Sequence, residues 1–295
     1  MKKIVLISIA ALLASCGGKT NRYDATGTFE ADCITVSAQT SGTLLSLSIE
    51  EGDTLSANQI VAIIDTTTYA LQARQLQATS DALAQQMPNA ALQLAALQQQ
   101  LRQAEQEQTR FEALVRDGAA TQKQLDDIRA QEVTLRSQIE AQSSTLGNTA
   151  KSLASQRQAT DIQREQALLN VERCHVASPI DGVVLQLFKH AGEQAAAGMP
   201  LFQVADVEHM TLHCYFTSEQ LSRLAVGQQV TVFCDYGGSE RYEYTGTLTW
   251  ISTQAEFTPK SILTNSERAN QVYAAKVSVK NDGKIKIGMY GGVNL

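Results

Sequence analysis

The side chains able to ligate a metal or act as nucleophiles are few: four histidines, His175, His190, His209 and His213, and five cysteines, Cys16, Cys33, Cys174, Cys214 and Cys234. His209 and His213 stand four apart, but in a strand that spacing leaves them too far apart on one face to share an ion. No CxxC pair or zinc-like spacing occurs, nor does a GxSxG, Walker or HExxH motif. Asp53, Asp181 and Glu193 follow or precede glycines, where a carboxylate serves a turn. No catalytic set, cofactor site or metal site is read, and the chain is expected to bind and position other molecules without being an enzyme.

Cys16 has a different chemistry. Met1-Lys2-Lys3 is a positive leader, Ile4 to Leu13 is an apolar run too short to span a bilayer, and the run closes on Leu13-Ala14-Ser15-Cys16. Small residues before a cysteine resemble the bacterial lipobox, in which the thiol is acylated and becomes the new N-terminus. Residues 1–15 then form a signal peptide, and residues 16–29, opening with Gly17-Gly18-Lys19-Thr20-Asn21, a polar tether. Nothing later approaches the roughly 20 consecutive apolar residues of a spanning helix. With a net charge of −6 and a pI near 5.3, the chain lacks the basic stripe of a nucleic-acid binder. The four cysteines beyond Cys16 permit two disulfides, and buried thiols satisfy the same pattern.

The positioning elements begin with an internal repeat. Ser37–Asp53 with Asn58–Asp65 is matched by Ala177–Glu193 with Gly198–Ala205, so Gly42 aligns with Gly182 and Gly52 with Gly192. Each copy reads as short β runs divided by turn residues, with the glycines providing positive φ at the corners. Neither copy has enough strands to close a core, so the two are expected to pack as one small sandwich.

Between the copies, residues 69–171 are rich in Gln, Ala, Leu and Glu, all strong helix formers. The first arm carries seam rows Met87, Leu94, Leu101, Val115 and Leu83, Ala90, Leu97, Ala104, Phe111. The second carries Leu125, Ile128, Leu135, Ile139, Leu146 and Leu153. Ser80, Gln108, Glu132 and Gln142 also fall on seam positions, which predicts a loosened, partly wet interface. Pro88 marks a kink or a staggered start in the first arm. Asp117-Gly118-Ala119-Ala120-Thr121 breaks the pattern, making the arms antiparallel. At 1.5 Å per residue, arms of about 45 residues reach roughly 65–70 Å.

The split repeat, above all Ala177–Val184, resembles the lipoyl (biotinyl-like) domain of the HlyD-type membrane-fusion, or periplasmic adaptor, family. A carrier lipoyl domain would present a modifiable Lys between its halves. Here the helical arms replace that hairpin, and no such Lys setting occurs. Arg110, Leu114 and Thr121, around Gly118, resemble the Arg-Leu-Ser tip by which such adaptors dock on TolC-type outer-membrane channels, with Thr in place of Ser. The strands Met210–Phe216, Gln229–Asp235 and Tyr244–Ile251, with a short helix capped by Ser218 and ended before Gly227, are similar to the family's β-barrel. Lys276–Val279 and Met289–Leu295 would complete that barrel. Residues 255–264, with Glu267, Arg268, Val272 and Tyr273, resemble the subgroup serving ABC-type exporters.

The resemblance implies an α+β, elongated, multi-domain chain. Its lipoyl halves span residues 30–68 and 172–207, its coiled-coil hairpin residues 69–171, and its β-barrel residues 208–295. It implies a periplasmic, membrane-anchored adaptor with three kinds of partner: an inner-membrane transporter, a TolC-type channel, and copies of itself in a ring, usually a hexamer. An RND transporter in place of an ABC exporter is one alternative, and a non-transport coiled-coil envelope scaffold is another. Cys33 and Cys174, one in each lipoyl half near the ends of the arms, are candidates for a disulfide.

Overall fold

A computed structural model of the protein describes residues 23–236, 241–257 and 271–295. Cys16, the leader, the first part of the tether, and Pro259 with most of its segment lie outside these residues. The chain divides into two units. One combines the residues up to Ile63 with Val176–Leu295, and the other is Ile64–His175.

In the first unit the repeat folds as two interlocked copies. The first supplies β2 (Gly42–Leu47), β3 (Thr54–Leu55) and β4 (Ile60–Ile64). The second supplies β5 (His175–Ala177), β6 (Gly182–Leu187), β7 (Gln194–Ala195) and the start of β8 (Pro200–Thr217). Pairing is reciprocal. Gly42 of the first copy faces Ala195 of the second, and Gly182 of the second faces Leu55 of the first. Gly52 N–H donates to Val184 O at 2.9 Å, and its counterpart Gly192 N–H donates to Leu44 O at 2.7 Å. Leu44 and Val184, equivalent positions, are both buried in the sandwich. Each copy thus supplies the hydrogen-bond partners that the other lacks.

The glycines serve two purposes. Gly52 and Gly192 have φ of +98° and +91°, as expected for corner residues. Gly42 and Gly182 do not turn the chain: each begins a strand and neither has positive φ. A Cβ on Gly182 would sit 2.4 Å from Ala205 O, so its role is to let two strands approach closely.

The barrel is closed by six antiparallel strands. β8 pairs with β12 (Gln271–Lys280), β12 with β10 (Arg241–Ile251), and β10 with β9 (Gln229–Asp235). β9 pairs with β13 (Tyr290–Asn294), and β13 with β1 (Ala25–Ser37), which returns to β8. β11 (Glu256–Phe257) adds to β12 outside the ring. Along β8, Met210, Leu212, Cys214 and Phe216 face inward, and along β9 Val230, Val232 and Cys234 do so, the two-residue period of a half-buried strand. Phe29, Leu248, Val277, Ile285 and Val293 complete this core.

Two expectations need correction here. Residues 25–29 are not tether: they are paired strand, and without β1 the barrel would be open between β8 and β13. The helix expected after Ser218 is a single 3-10 turn, Gln220–Arg223, with Glu219 at its N-cap position and no side-chain cap.

β1 and β8 run from the barrel into the sandwich. Where they cross, Ala31 faces Met210 and Cys33 faces Ala205, so Asp32 alone stands opposite the four residues Asp206–His209. This bulge is held by Asp206, whose carboxylate accepts from Glu208 N–H, His209 N–H and the His209 ring. The buried Asn281 side chain ties in the following loop, donating to Val207 O and Ile285 O and accepting from Gly283 and Ile285 N–H. A buried amide is tolerated because its donors and acceptor are all used.

The second unit is a helical hairpin. Its first arm is α1 (Thr67–Gln85) followed by α2 (Ala90–Arg116), and its second is the 52-residue α3 (Gln122–Arg173). Pro88 falls in the break between α1 and α2, and Asn89 restarts the helix by accepting Leu92 N–H at 3.1 Å. α3 runs unbroken for about 78 Å.

The seam is thin, with Leu94, Ala104, Leu125, Leu135 and Leu146 as its buried residues beyond the break. Leu97 and Leu101 are half-buried, and Met87, in the break, is exposed. Ser80 does not loosen the interface. It is buried, donates to Asp161 at 2.7 Å and accepts from Arg157. Further out, Glu105 pairs with Arg136 and Glu112 with Arg129, each at 3.0 Å, in the same antiparallel register as Ser80 with Asp161.

Two substitutions test these contacts. Gly182→Ala should destabilise the first unit by about 1–3 kcal/mol through overpacking against Ala205 O, read as a lower denaturation midpoint at unchanged slope. Asp161→Ala should strip Ser80 of its acceptor and destabilise the hairpin by about 1–3 kcal/mol, read by a circular-dichroism melt.

Candidate functional site: the hairpin apex

The apex is a five-residue connection whose geometry follows from its sequence. α2 is stopped by Asp117 and Gly118. Gly118 takes φ of +75°, its N–H donates to Val115 O at 3.1 Å, and Ala119 N–H reaches back to Leu114 O at 2.8 Å. This pair of bonds is a Schellman motif, which uses the last free carbonyls of the helix. α3 is started by Thr121. Its hydroxyl accepts Gln124 N–H, while the Gln124 side-chain oxygen accepts from Thr121 N–H at 2.9 Å and from the Thr121 hydroxyl. The Thr121-x-x-Gln124 spacing is a capping box, legible in the sequence but overshadowed there by the tip pattern.

The structure therefore assigns different surroundings to the sequence-selected residues. Arg110 and Leu114 stand i, i+4 on one face of α2, within its last two turns. Arg110 is exposed and Leu114 is half-buried. Thr121 stands at the head of α3, where its hydroxyl is engaged in the cap. Behind the apex, Arg129 bonds Glu112 and Asp126. The hydrogen bond from Arg129, aided by Gln108, holds the Glu112 carboxyl below its ordinary value of 4.5. A lowered carboxylate pKa stabilises fully above the unfolded value and ceases to do so as pH falls through the folded one. This interarm link is therefore lost only in acid.

The remaining candidates fall elsewhere. Among the described residues Cys33 and Cys174 are not joined in a disulfide. The Cys33 thiol, exposed on β1, donates to Ala31 O, and the buried Cys174 thiol at the end of α3 donates to Asp65 O. Cys33 thus bonds within its own strand, while Cys174 bonds the chain just ahead of α1. Cys214 and Cys234 are buried in the barrel core, where burial pushes the Cys214 thiol up to about 12. His209 pairs with Asp206, His190 with Glu193, and His213 faces Glu30. Among the described residues no group of three or more His, Cys, Asp or Glu is placed to hold a metal. No helix among them is long and apolar enough to cross a membrane.

The profile described as "RND MFP, barrel-sandwich hybrid domain" matches residues 32–207, more than half of the chain. The chain belongs to the membrane-fusion protein family. The match runs from β1, through the whole hairpin, to the bulge in β8, so the helical arms are part of the family's domain.

Relatives match this membrane-fusion protein over nearly its full length. A UPF0194 membrane protein of Yersinia enterocolitica is 27% identical over 324 aligned positions, covering 98% of this chain and 96% of the relative. One of Citrobacter koseri is 23% identical with the same coverage. Among solved structures, MacA from Actinobacillus actinomycetemcomitans superposes with a TM-score of 0.55 at 20% identity, over 94% of this chain and 79% of that one. A MacA-MexA chimeric protein containing the Pseudomonas aeruginosa MexA alpha-hairpin domain gives a TM-score of 0.52 at 22% identity, covering 92% and 81%. These likenesses establish a shared fold. The family is one of periplasmic adaptors for transport systems, associated with the cell envelope and not enzymatic.

The cap gives the apex its own test. Thr121→Val should remove the capping box and destabilise the head of α3 by about 1 kcal/mol, while Thr121→Ser should leave it intact. Backbone amide exchange at Gln122–Gln124 would report the difference.

Proposed function

We propose that this membrane-fusion protein is a lipid-anchored adaptor that couples an inner-membrane exporter of ABC type to a TolC-type outer-membrane channel. In this reading Cys16 carries the lipid, copies of the chain self-associate as a ring, as in a hexamer, and cargo is conducted past the periplasm for efflux or secretion. The mechanism is positional and needs no bond chemistry: the arms hold the apex, and the apex touches the channel.

The observation that carries the reading is the apex. It combines an exposed guanidinium, a half-buried Leu knob and a rigid turn capped on both sides. Arg110 offers forked donors to carbonyls or carboxylates. Leu114 contributes apolar contact, and the Schellman motif and capping box hold the turn in one geometry before any partner arrives, which lowers the ordering cost of docking. Several such tips in a ring multiply a weak contact by avidity. The rest of the sequence pattern agrees: the small residues before Cys16, and the segment around residues 255–264 that resembles ABC-exporter adaptors.

An RND transporter as the inner-membrane partner is a second reading, favoured by the description of the family profile itself. Chemical cross-linking in cells, followed by identification of the co-purified transporter, separates the two.

Arg110→Asp should abolish export and channel co-purification while leaving the helical melt unchanged, because an exposed side chain there contributes little to stability. Leu114→Asp should abolish both as well, with some loss of hairpin stability from its half-buried position. Normal export by both variants would sink the docking role and favour an envelope scaffold. Cys16→Ser should release the protein from membranes and abolish acyl labelling; unchanged fractionation and labelling would exclude Cys16 as the anchor.

A further inference from the structure

Trp250 is the chain's one tryptophan, and it lies on the outer wall of the barrel, 43% exposed. Its neighbours are fixed by strand register. Trp250 faces Lys276 across β10 and β12, and Lys276 faces His213 across β12 and β8. The Lys276 ammonium stands 5.8 Å from the centre of the Trp250 ring. Two residues along β8, Tyr215 is 38% exposed, with its ring 5.4 Å from that of His213. Three adjacent strands thus present an indole, a phenol, an ammonium and an imidazole on one stretch of wall. Glu30, 3.6 Å from the His213 ring, is the acid beside them.

We infer that this patch rests on a lipid bilayer, in the headgroup layer of an anionic membrane. The inference deepens the lipid-anchor reading and rests on it. Tryptophan and tyrosine favour the boundary between headgroups and acyl chains, because each has an apolar ring and a polar edge. Lysine beside them is attracted to anionic headgroups.

The chain between anchor and barrel supplies the reason for choosing a bilayer over another partner. From Cys16 to Tyr23 is seven residues, which span at most about 25 Å when fully extended. β1 begins two residues later, and its first rows lie directly against the patch. Thr26 faces Tyr215 and Thr28 faces His213. If Cys16 is acylated, the wall holding Tyr215 and His213 is therefore kept within one short tether of the surface. An exposed indole and phenol left in water there would forgo favourable burial that the tether places within reach.

The single tryptophan makes the test direct, since intrinsic emission reports Trp250 alone. Full-length acylated protein and Cys16→Ser protein are each mixed with vesicles of phosphatidylcholine, or of phosphatidylcholine with phosphatidylglycerol, with and without bromine on the acyl chains. Flotation is read alongside fluorescence. The acylated protein should float, its emission should move to shorter wavelength on the anionic vesicles, and brominated lipid should quench it. Cys16→Ser protein should show the same shift at higher lipid concentration. Lys276→Gln in that background should weaken the anionic-vesicle partition about fivefold, the equivalent of one basic residue near the surface. The folding of both variants is checked by far-UV circular dichroism.

Acylated protein that floats while Trp250 stays unshifted and unquenched overturns the patch and leaves the anchor standing. Failure to float, with an emission shift still induced by anionic vesicles, removes the anchor and keeps the patch. A shift that depends on protein concentration without lipid assigns the wall to a second copy of the chain and overturns the inference.

Discussion

The structure depends on one reciprocal exchange of strands. β2 pairs with β7 and β3 with β6, so each half of the repeat completes its backbone hydrogen bonds with the other half. Leu44 and Val184 are buried in a sandwich to which both halves contribute strands. The two halves are separated in the chain by the whole hairpin, and closing so long a loop of flexible chain would be entropically unfavourable. An antiparallel helical hairpin removes much of that penalty. Its arms form from local contacts and return the chain to where it left, as the bond from Ile64 N–H to Cys174 O at 2.9 Å shows. The hairpin thus brings its own two ends together at Ile64 and Cys174.

The barrel depends on the same principle at longer range. Its first strand comes from the N-terminal side of the repeat and its other five from the C-terminal side. β1 and β8 run through sandwich and barrel as continuous strands of one nine-stranded sheet, and the bulge at Asp206–His209 interrupts their register between the two. Asp206 accepts from the N–H groups of Glu208 and His209, and Asn281 donates to the Val207 and Glu208 carbonyls. The barrel and sandwich are for this reason one unit, joined by two strands where a flexible linker would join only one segment.

The apex shows how one residue can be claimed by two roles. The hydroxyl of Thr121 has the chemistry of a docking group, and it also caps α3. A helix of 52 residues that begins in a tight turn needs its first N–H groups satisfied, and Thr with Gln124 does this reciprocally. Arg110, exposed near the end of α2, carries no such local duty, whereas Leu114 is half-buried. The family's match to RND-type adaptors and the ABC-like sequence pattern point to different transporter classes.

What could be read from sequence alone was whatever local chemistry repeats: the glycine-spaced copies, the helical arms with their break at Pro88 and turn at Gly118, and the alternating strands of β8, β9 and β10. Periodicity is set by backbone geometry, and it survives without knowledge of the partner. What required tertiary structure was every assignment made by a distant residue. Residues 25–29 look like tether until β8 and β13 flank them. Ser80 looks like a flaw in the seam until Asp161 arrives from the other arm. Gly182 looks like a corner until Ala205 O is found where its Cβ would be. Cys33 and Cys174 look like partners until each is seen donating to a carbonyl of its own surroundings. A single chain position encodes its propensity and its polarity. The neighbour that satisfies its hydrogen bond or excludes its side chain is decided only when separate segments of the chain come into register.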